Sequence, residues 1–385
     1  MATAAEPPAR RTSRIRYDFL AGQLLALGGA FAFAAAIGSI IIIAYNENPL
    51  FVYATVLNYS TARVQDIAQV LEYATPLIFS GLAVAVAFKA GLFNIGVEGQ
   101  YIVGLMTASA AALYLDFLPA FLLVPAVLIA AMAGAMVWAS VPAVLKVRTG
   151  AHEVVTTIMM NGIAISLVAW AILNPLKSTG EQLVDLRTNL FPEEALMPSF
   201  AGTFGLESVI PISVHLTLLF PLALIACALV WFFLFRMRLG YEVRAVGSSS
   251  GSAEAGGISI GAAQVKVFLI SGALAGLVGL NHLIGDKGYL GSNYETGLGF
   301  AGIAVAFLGR NHPGGIPLAA VLIGVLLRGQ DGIAISTELP TEILIILQGV
   351  LILSVVIAYE LVQRVLRRRM QQEVAVTETT APAEA

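Results

Sequence analysis

Three stretches of this chain carry residue types able to handle a polar solute or a protein partner. The first is Lys89-Ala-Gly-Leu-Phe-Asn-Ile-Gly-Val-Glu-Gly-Gln100, where glycines recur and Asn94, Glu98 and Gln100 interrupt two apolar runs. A carboxylate near the centre of a membrane helix costs several kcal/mol unless it faces protein or water. Frequent glycine lets a backbone unwind and approach a solute. The stretch therefore reads as the wall or gate of a pathway, or else as a turn in which Glu98 pairs with Lys89. The second is the run His152 to Asn161, where Glu153, Thr157 and Asn161 lie four apart and share one helix face. Such a stripe either lines an aqueous cavity or bonds a neighbouring helix. In the third, Gly240 to Gly247 and Ala253 to Ile258, small residues alternate with single charges, which suits a short helix seated shallowly in a partner's groove.

Other chemistry lacks its signature. His152, His215, His282 and His312 are far apart, with neither H-E-x-x-H nor H-x-x-E-H spacing, so no metal site is expected. There is no G-x-x-x-x-G-K-[ST] phosphate loop, and the G-x-S-x-G matches at Gly247 to Gly251 and Gly257 to Gly261 follow no strand, as a nucleophile elbow would. The chain reads as something other than an enzyme. Cys227 is the one cysteine and sits in an apolar run, which suits a small buried hydrophobe.

The elements that must position these residues are membrane helices. Hydrophobic residues make up 58% of the 385 positions and charged ones only 12%; a soluble domain carries about 25% charge. The fold class expected is an all-α polytopic transmembrane bundle of about ten helices. Their spans are near 22–45, 72–90, 94–115, 119–145, 154–174, 213–235, 265–285, 297–310, 315–330 and 340–362. The short pair 297–310 and 315–330 reads as two crossings or one re-entrant hairpin. The first span follows Arg10 to Arg16 but exceeds a signal peptide's apolar core, so it is read as retained.

With the N-terminus inside, 16 of the 21 Lys and Arg residues fall on the cytoplasmic side, including the Arg364 to Arg369 cluster. That asymmetry predicts both termini in the cytoplasm. The organisation expected is a tail over 1–20, a permease domain over 21–362 and a tail over 363–385. The domain carries an acidic, proline-punctuated external loop at 175–212 and a cytoplasmic loop at 236–264. Ser80-Gly81-Leu-Ala resembles Ser271-Gly272-Ala-Leu, and Gly81-Leu-Ala-Val-Ala resembles Gly302-Ile-Ala-Val-Ala; both point to two five-helix pseudo-repeats. Gly272, Gly276 and Gly279 form a small-residue face for packing within the bundle.

Taken in order, several motifs resemble permease subunits of bacterial ABC importers. They are Leu92 to Gln100, His152 to Asn161, Gly240-x-x-x-Arg244-Ala-x-Gly247 with Ala255 to Ile258, Lys266 to Gly276, Gly299 to Gly309 and Gln348-Gly349. The likeness spans most of 20–362 and is nearest the nucleoside and simple-sugar branch, more distantly the ribose and branched-chain amino-acid permeases. It implies alternating access in the inner (plasma) membrane and cytoplasmic ABC ATPases as partners. It also implies a second homologous permease, usually a separate chain, and an external solute-binding lipoprotein. ATP is then hydrolysed by the partner, and this chain binds no cofactor and no nucleic acid. Glu242, Arg244 and Glu254 become candidates for ATPase contact. Asn94, Glu98, Gln100, Glu153, Thr157, Asn161 and Phe300 become candidates for the translocation pathway. Ser249-Ser250 departs from the Asn that the family often has there. The rival reading is an ion-coupled secondary transporter in which Glu98 or Glu153 is the coupling carboxylate.

Overall fold

A computed structural model describes residues 28–29, 32–179, 186–211, 213–337, 339 and scattered positions from 343 to 357. It divides into two units, residues 1–55 with 333–385, and residues 56–332. In the smaller unit, α1 (Ala32–Ala44) ends at a turn whose Asn46 takes the left-handed φ of 61°. The chain bends there by 113° into α2 (Pro49–Thr61). Asn48 caps α2 by accepting from the Leu50 N–H at 2.9 Å, and Pro49 occupies the first position, where its missing N–H costs nothing. The sequence reading placed no helix at 49–61. The signal was there in Asn48-Pro49, masked by a mixed composition after the bend.

In the larger unit, α3 (Val64–Lys89) is the most enclosed element, with every residue from Ala74 to Ala87 buried. Its Ser80-Gly-Leu-Ala-Val-Ala-Val-Ala run has little bulk, so neighbours approach on all sides. By contrast α5 (Ala120–Thr149), α6 (Glu153–Leu173) and α8 (Leu219–Arg236) leave Val137, Met159 and Leu229 well exposed, as helices facing lipid do. Against α5, α11 (Ile260–Gly276) uses its small face: a Cβ on Gly272 would meet Ala135 O at 2.9 Å, and one on Gly276 would meet Met132 Cα at 2.9 Å. Gly279 likewise abuts Leu105 of α4 (Val97–Tyr114). The expected glycine stripe thus packs within the bundle, against α5 and α4.

The segment 297–330 resolves into unequal parts. α13 (Leu298–Leu308) has 11 residues, about 16 Å of helix against a hydrocarbon core of about 30 Å. α14 (Ile316–Ser336), with 21 residues, is long enough to cross. Gly81 of α3 and Gly302 of α13, the heads of the two similar pentads, cross: a Cβ on Gly81 would lie 2.8 Å from Val305, and one on Gly302 would strike Ser80. Among the described residues six helices are long and apolar enough to span a membrane, or seven counting the bent pair α1–α2. Adding α4 and α13, every expected span from 22–45 to 315–330 corresponds to a helix. The span 340–362, the Arg364 to Arg369 cluster and both tails lie outside the continuously described residues.

One end of the larger unit gathers the C-termini of α3, α5, α8 and α13. Also at this end are α9 (Arg238–Ser248), α10 (Ser250–Ala255) and the start of α11. The expected loop at 236–264 is therefore largely helical. At the opposite end, residues 186–197 lie along the segment after α11. Thr188 N donates to Leu290 O at 2.9 Å, Phe191 N to Gly288 O at 2.8 Å and Met197 N to Ile284 O at 2.8 Å.

Candidate functional site

The centre of the site is the break between α3 and α4. Gly91, at φ 73°, turns the chain out of α3, and residues 92–96 run back into the bundle before α4 begins. Buried Asn94 organises this turn. Its Nδ2 donates to Gln100 Oε1 at 3.0 Å and to Ser271 Oγ at 2.9 Å, while its Oδ1 accepts from Gly96 N at 3.0 Å. Ser271 in turn donates to Ala83 O at 2.7 Å, so one amide ties the break to α4, α11 and α3.

The polar stripe of α6 closes on the same break. Asn161 Oδ1 accepts from Gly99 N at 2.9 Å, and its Nδ2 donates to Ile95 O at 3.1 Å. Gly99 is within the first turn of α4, where N–H groups lack intrahelical partners, so Asn161 serves as a cap lent by another helix. Thr157 packs against Gly96, where a Cβ would lie 3.0 Å away, and its hydroxyl donates to Glu153 O at 2.7 Å. Glu153 stands apart at the helix end, paired with Lys146 at 2.7 Å. Of the two roles open to this stripe, Asn161 performs the second, bonding a neighbour.

Glu98 is buried and does not meet Lys89. Its Oε1 accepts from Gly297 N at 2.7 Å and its Oε2 from Gly299 N at 2.9 Å, the two donors flanking the start of α13. The Tyr101 hydroxyl lies 3.1 Å from Oε1 and 2.8 Å from Glu295 O, donating to one at a time. The positive end of a half-length helix thus receives a carboxylate inside the fold. No side chain fits at Gly299, whose Cβ would lie 2.8 Å from Glu98 Oε2. Gly297, at φ 94°, supplies the turn into the helix. Phe300, the residue after Gly299, is half exposed.

Beyond this junction, at the end carrying residues 186–197, lies a cavity of about 310 Å³ between α4, residues 279–283 after α11 and residues 287–298. His282, Tyr289, Asn293, Tyr294 and Glu295 line it, with Leu298 of α13 beside them. His282 bridges Glu295 at 2.8 Å and Asp286 at 3.3 Å. Burial, and then the charge of Glu98, push the Tyr294 hydroxyl above the usual phenol range, so it stays a donor. These residues were absent from the sequence-based candidates. The run Tyr289-Leu-Gly-Ser-Asn-Tyr-Glu295 between two apolar spans was the available signal.

At the other end, α9 and α10 enclose a groove of about 420 Å³ lined by Arg238, Tyr241, Glu242, Ser249 and Ser252. Glu242 pairs with Arg238 at 3.1 Å, Arg244 lies over the Phe235 ring at 5.2 Å and Glu254 is exposed. Ser249 caps α10, accepting from Ser252 N at 3.3 Å, which gives the Ser249-Ser250 departure a local use. Gly247 sits against the Lys89 carbonyl, and a Cβ there would come within 3.0 Å of Gly91 N. The helical pair is joined backbone to backbone with the break.

Residues 66–356 match the family described as the branched-chain amino acid transport system permease component. The chain belongs to that permease family. It is similar to the guanosine ABC transporter permease protein NupP of Bacillus subtilis, 35% identical over 86% of this chain and 92% of the relative. The glucose ABC transporter permease protein TsgB13 of Haloferax volcanii is 32% identical over 84% of each chain. The nucleoside ABC transporter permease protein NupB of Lactococcus lactis is 30% identical over 86% of this chain and 90% of the relative. Each organism has a second match, NupQ, TsgC13 and NupC, at 26%, 25% and 25% identity. This permease is accordingly a multi-pass membrane component of an ABC transporter and not an enzyme, and its family works with an ATPase and a solute-binding partner.

Proposed function

We propose that this permease is the membrane-spanning subunit of an ATP-driven importer of nucleosides or simple sugars, located in the inner (plasma) membrane and working by alternating access. The observation that carries this reading is the seat of α9 on the break: Gly247 rests on Lys89 and Gly91, at the start of the segment whose Asn94 binds α4 and α11 and, through Ser271, is tied to α3. An ATPase held in the α9–α10 groove, with Glu242, Arg244 and Glu254 at its edge, would push directly on that break. Asn94, Gln100, Thr157 and Asn161 hold the break in one arrangement, Glu98 holds α13 to it, Glu153 fixes the α5–α6 corner, and Phe300 offers a ring to the pathway.

ATP is hydrolysed by the partner, and this chain holds no cofactor of its own. The paired occurrence of permeases in three organisms supports a second, homologous permease as partner rather than a copy. Basic residues concentrate at the α9–α10 end, which supports a cytoplasmic position for it and for both termini. The segment 186–197 then faces the external solute-binding lipoprotein. The ion-coupled reading is not favoured, since Glu98 and Glu153 are both engaged.

Co-reconstitution in liposomes with the partner permease, ATPase and receptor tests the proposal. ATP-dependent uptake of a nucleoside or sugar is expected. Uptake that survives removal of ATP, or stimulation by neither solute class, would overturn it.

A further inference from the structure

The 310 Å³ cavity between α4, residues 279–283 and residues 287–298 is large enough for a small organic molecule. Its surface is mostly apolar, and three of its lining side chains are rings: His282, Tyr289 and Tyr294. The charges around it are largely committed to each other. Lys287 lies 3.4 Å from Asp286, Asp286 lies 3.3 Å from His282, and His282 holds one oxygen of Glu295 at 2.8 Å. Among the described lining residues the one ammonium, that of Lys287, lies beside Asp286, whereas Glu295 keeps its other oxygen as an acceptor. Asn293 adds an amide and Tyr294 a hydroxyl donor.

Resting on the import reading above, we infer that this cavity is the receiving site for the solute and that it selects an uncharged nucleoside through its base. Aromatic lining with one strong acceptor suits a flat heteroaromatic ring that has N–H donors at its edge. A plain sugar would leave those rings with less to stack on and ask for more hydrogen bonds than Asn293, Tyr294 and Glu295 supply. A nucleotide would bring negative charge beside Glu295, with the Lys287 ammonium already held by Asp286. The position fits a receiving site. One wall, residues 287–291, is bonded to segment 186–197 through Thr188 and Phe191, and Arg187 lies over the Tyr289 ring at 4.7 Å. The opposite boundary is Leu298, the first residue of α13, whose N-terminal N–H groups hold Glu98. A molecule in this cavity is therefore in contact with the segment proposed to face the receptor and with the helix tied to the break.

The test is equilibrium binding of radiolabelled guanosine and uridine to the assembled permease pair and ATPase in nanodiscs, with glucose, ribose and GMP as competitors. Tyr294→Ala is expected to weaken nucleoside binding at least tenfold, Tyr294→Phe by no more than threefold, and Glu295→Gln to weaken guanosine more than tenfold. The competitors are expected to displace less than a tenth of the bound nucleoside. Unchanged affinity in Tyr294→Ala and Glu295→Gln would overturn the site. Equal competition by glucose or ribose would overturn the selection of the base, while leaving import of simple sugars standing. Wild-type protein that binds and transports neither class would overturn both readings. Should Tyr294→Ala fail to assemble, Glu295→Gln still decides, because it preserves the volume of its side chain.

Discussion

Glu98 shows how a single carboxylate becomes tolerable inside a membrane fold. Two backbone N–H groups and a phenol surround it, and the N-terminal end of α13 adds a favourable field. Charge-assisted hydrogen bonds of this kind are worth roughly 1.5–3 kcal/mol each when measured by removal. Glu98→Gln is expected to lower the thermal midpoint of the purified permease by several degrees, and Glu98→Ala by more, measured by fluorescence-detected size exclusion after heating. An unchanged midpoint in both variants would refute the capping role. His312 allows a pH prediction. Burial and the nearby charges of Lys89 and Arg310 hold its imidazole below the usual 6.5, and its Nδ1 accepts from Gly314 N at 3.0 Å, which requires the neutral ring. The folded pKa is depressed, so the unfolded chain binds the proton first and stability falls as pH drops below about 6.5. Thermal midpoints taken from pH 7.5 to 5 should fall less steeply in His312→Asn than in the wild type.

Among elements, α9, α13 and segment 186–197 matter most, because each is fixed by backbone contacts that leave little slack. Gly247 has no room for a Cβ against Lys89, so Gly247→Ala must move α9 away from the break. Uptake by the reconstituted transporter should drop more than tenfold while the ATPase still co-purifies with the permease. Loss of co-purification with uptake intact would show the contact to be irrelevant to transport. Arg187→Ala removes the cation over Tyr289 and loosens 186–197 from the cavity wall. Its expected effect is a several-fold rise in KM for receptor-delivered solute with little change in maximal uptake. A fall in maximal rate at unchanged KM would assign Arg187 to a different step.

For the molecule as a whole, what matters is that helix packing leaves a discontinuity at the centre. α11 is sealed to α5 by Gly272 and Gly276, and α3 to α13 by Gly81 and Gly302. α4 and α13 both begin near Glu98, where their free N–H groups meet side chains instead of a continuing helix. Gly276→Val, which drives a branched side chain into Ala131, should abolish recovery of monodisperse protein in detergent. Reporter fusions at residue 385 and in the 186–197 segment should place the two on opposite sides of the membrane.

Much of this was written locally. Apolar runs about 20 residues long identify a membrane bundle because hydropathy is a property of each segment by itself. The small-residue face of α11 and the short helical stretch within Gly240 to Ile258 were legible because each is a local pattern of small and charged residues. The bend at Asn46 was less so, since α2 lacks a strong apolar signature. What only the tertiary structure decided was where each polar group finds its partner. Glu98 reads as a pathway carboxylate or a partner for Lys89 until α13, 199 positions away, returns to present its N–H groups. Asn161 reads equally as pathway or glue until the break comes to lie against α6. The cavity likewise needs α4, residues 279–283 and residues 287–298 to converge, so its aromatic lining is a pattern in space with no period along the chain. Sequence determines how much of a segment lipid will accept; chain return over hundreds of residues determines which buried polar atoms meet.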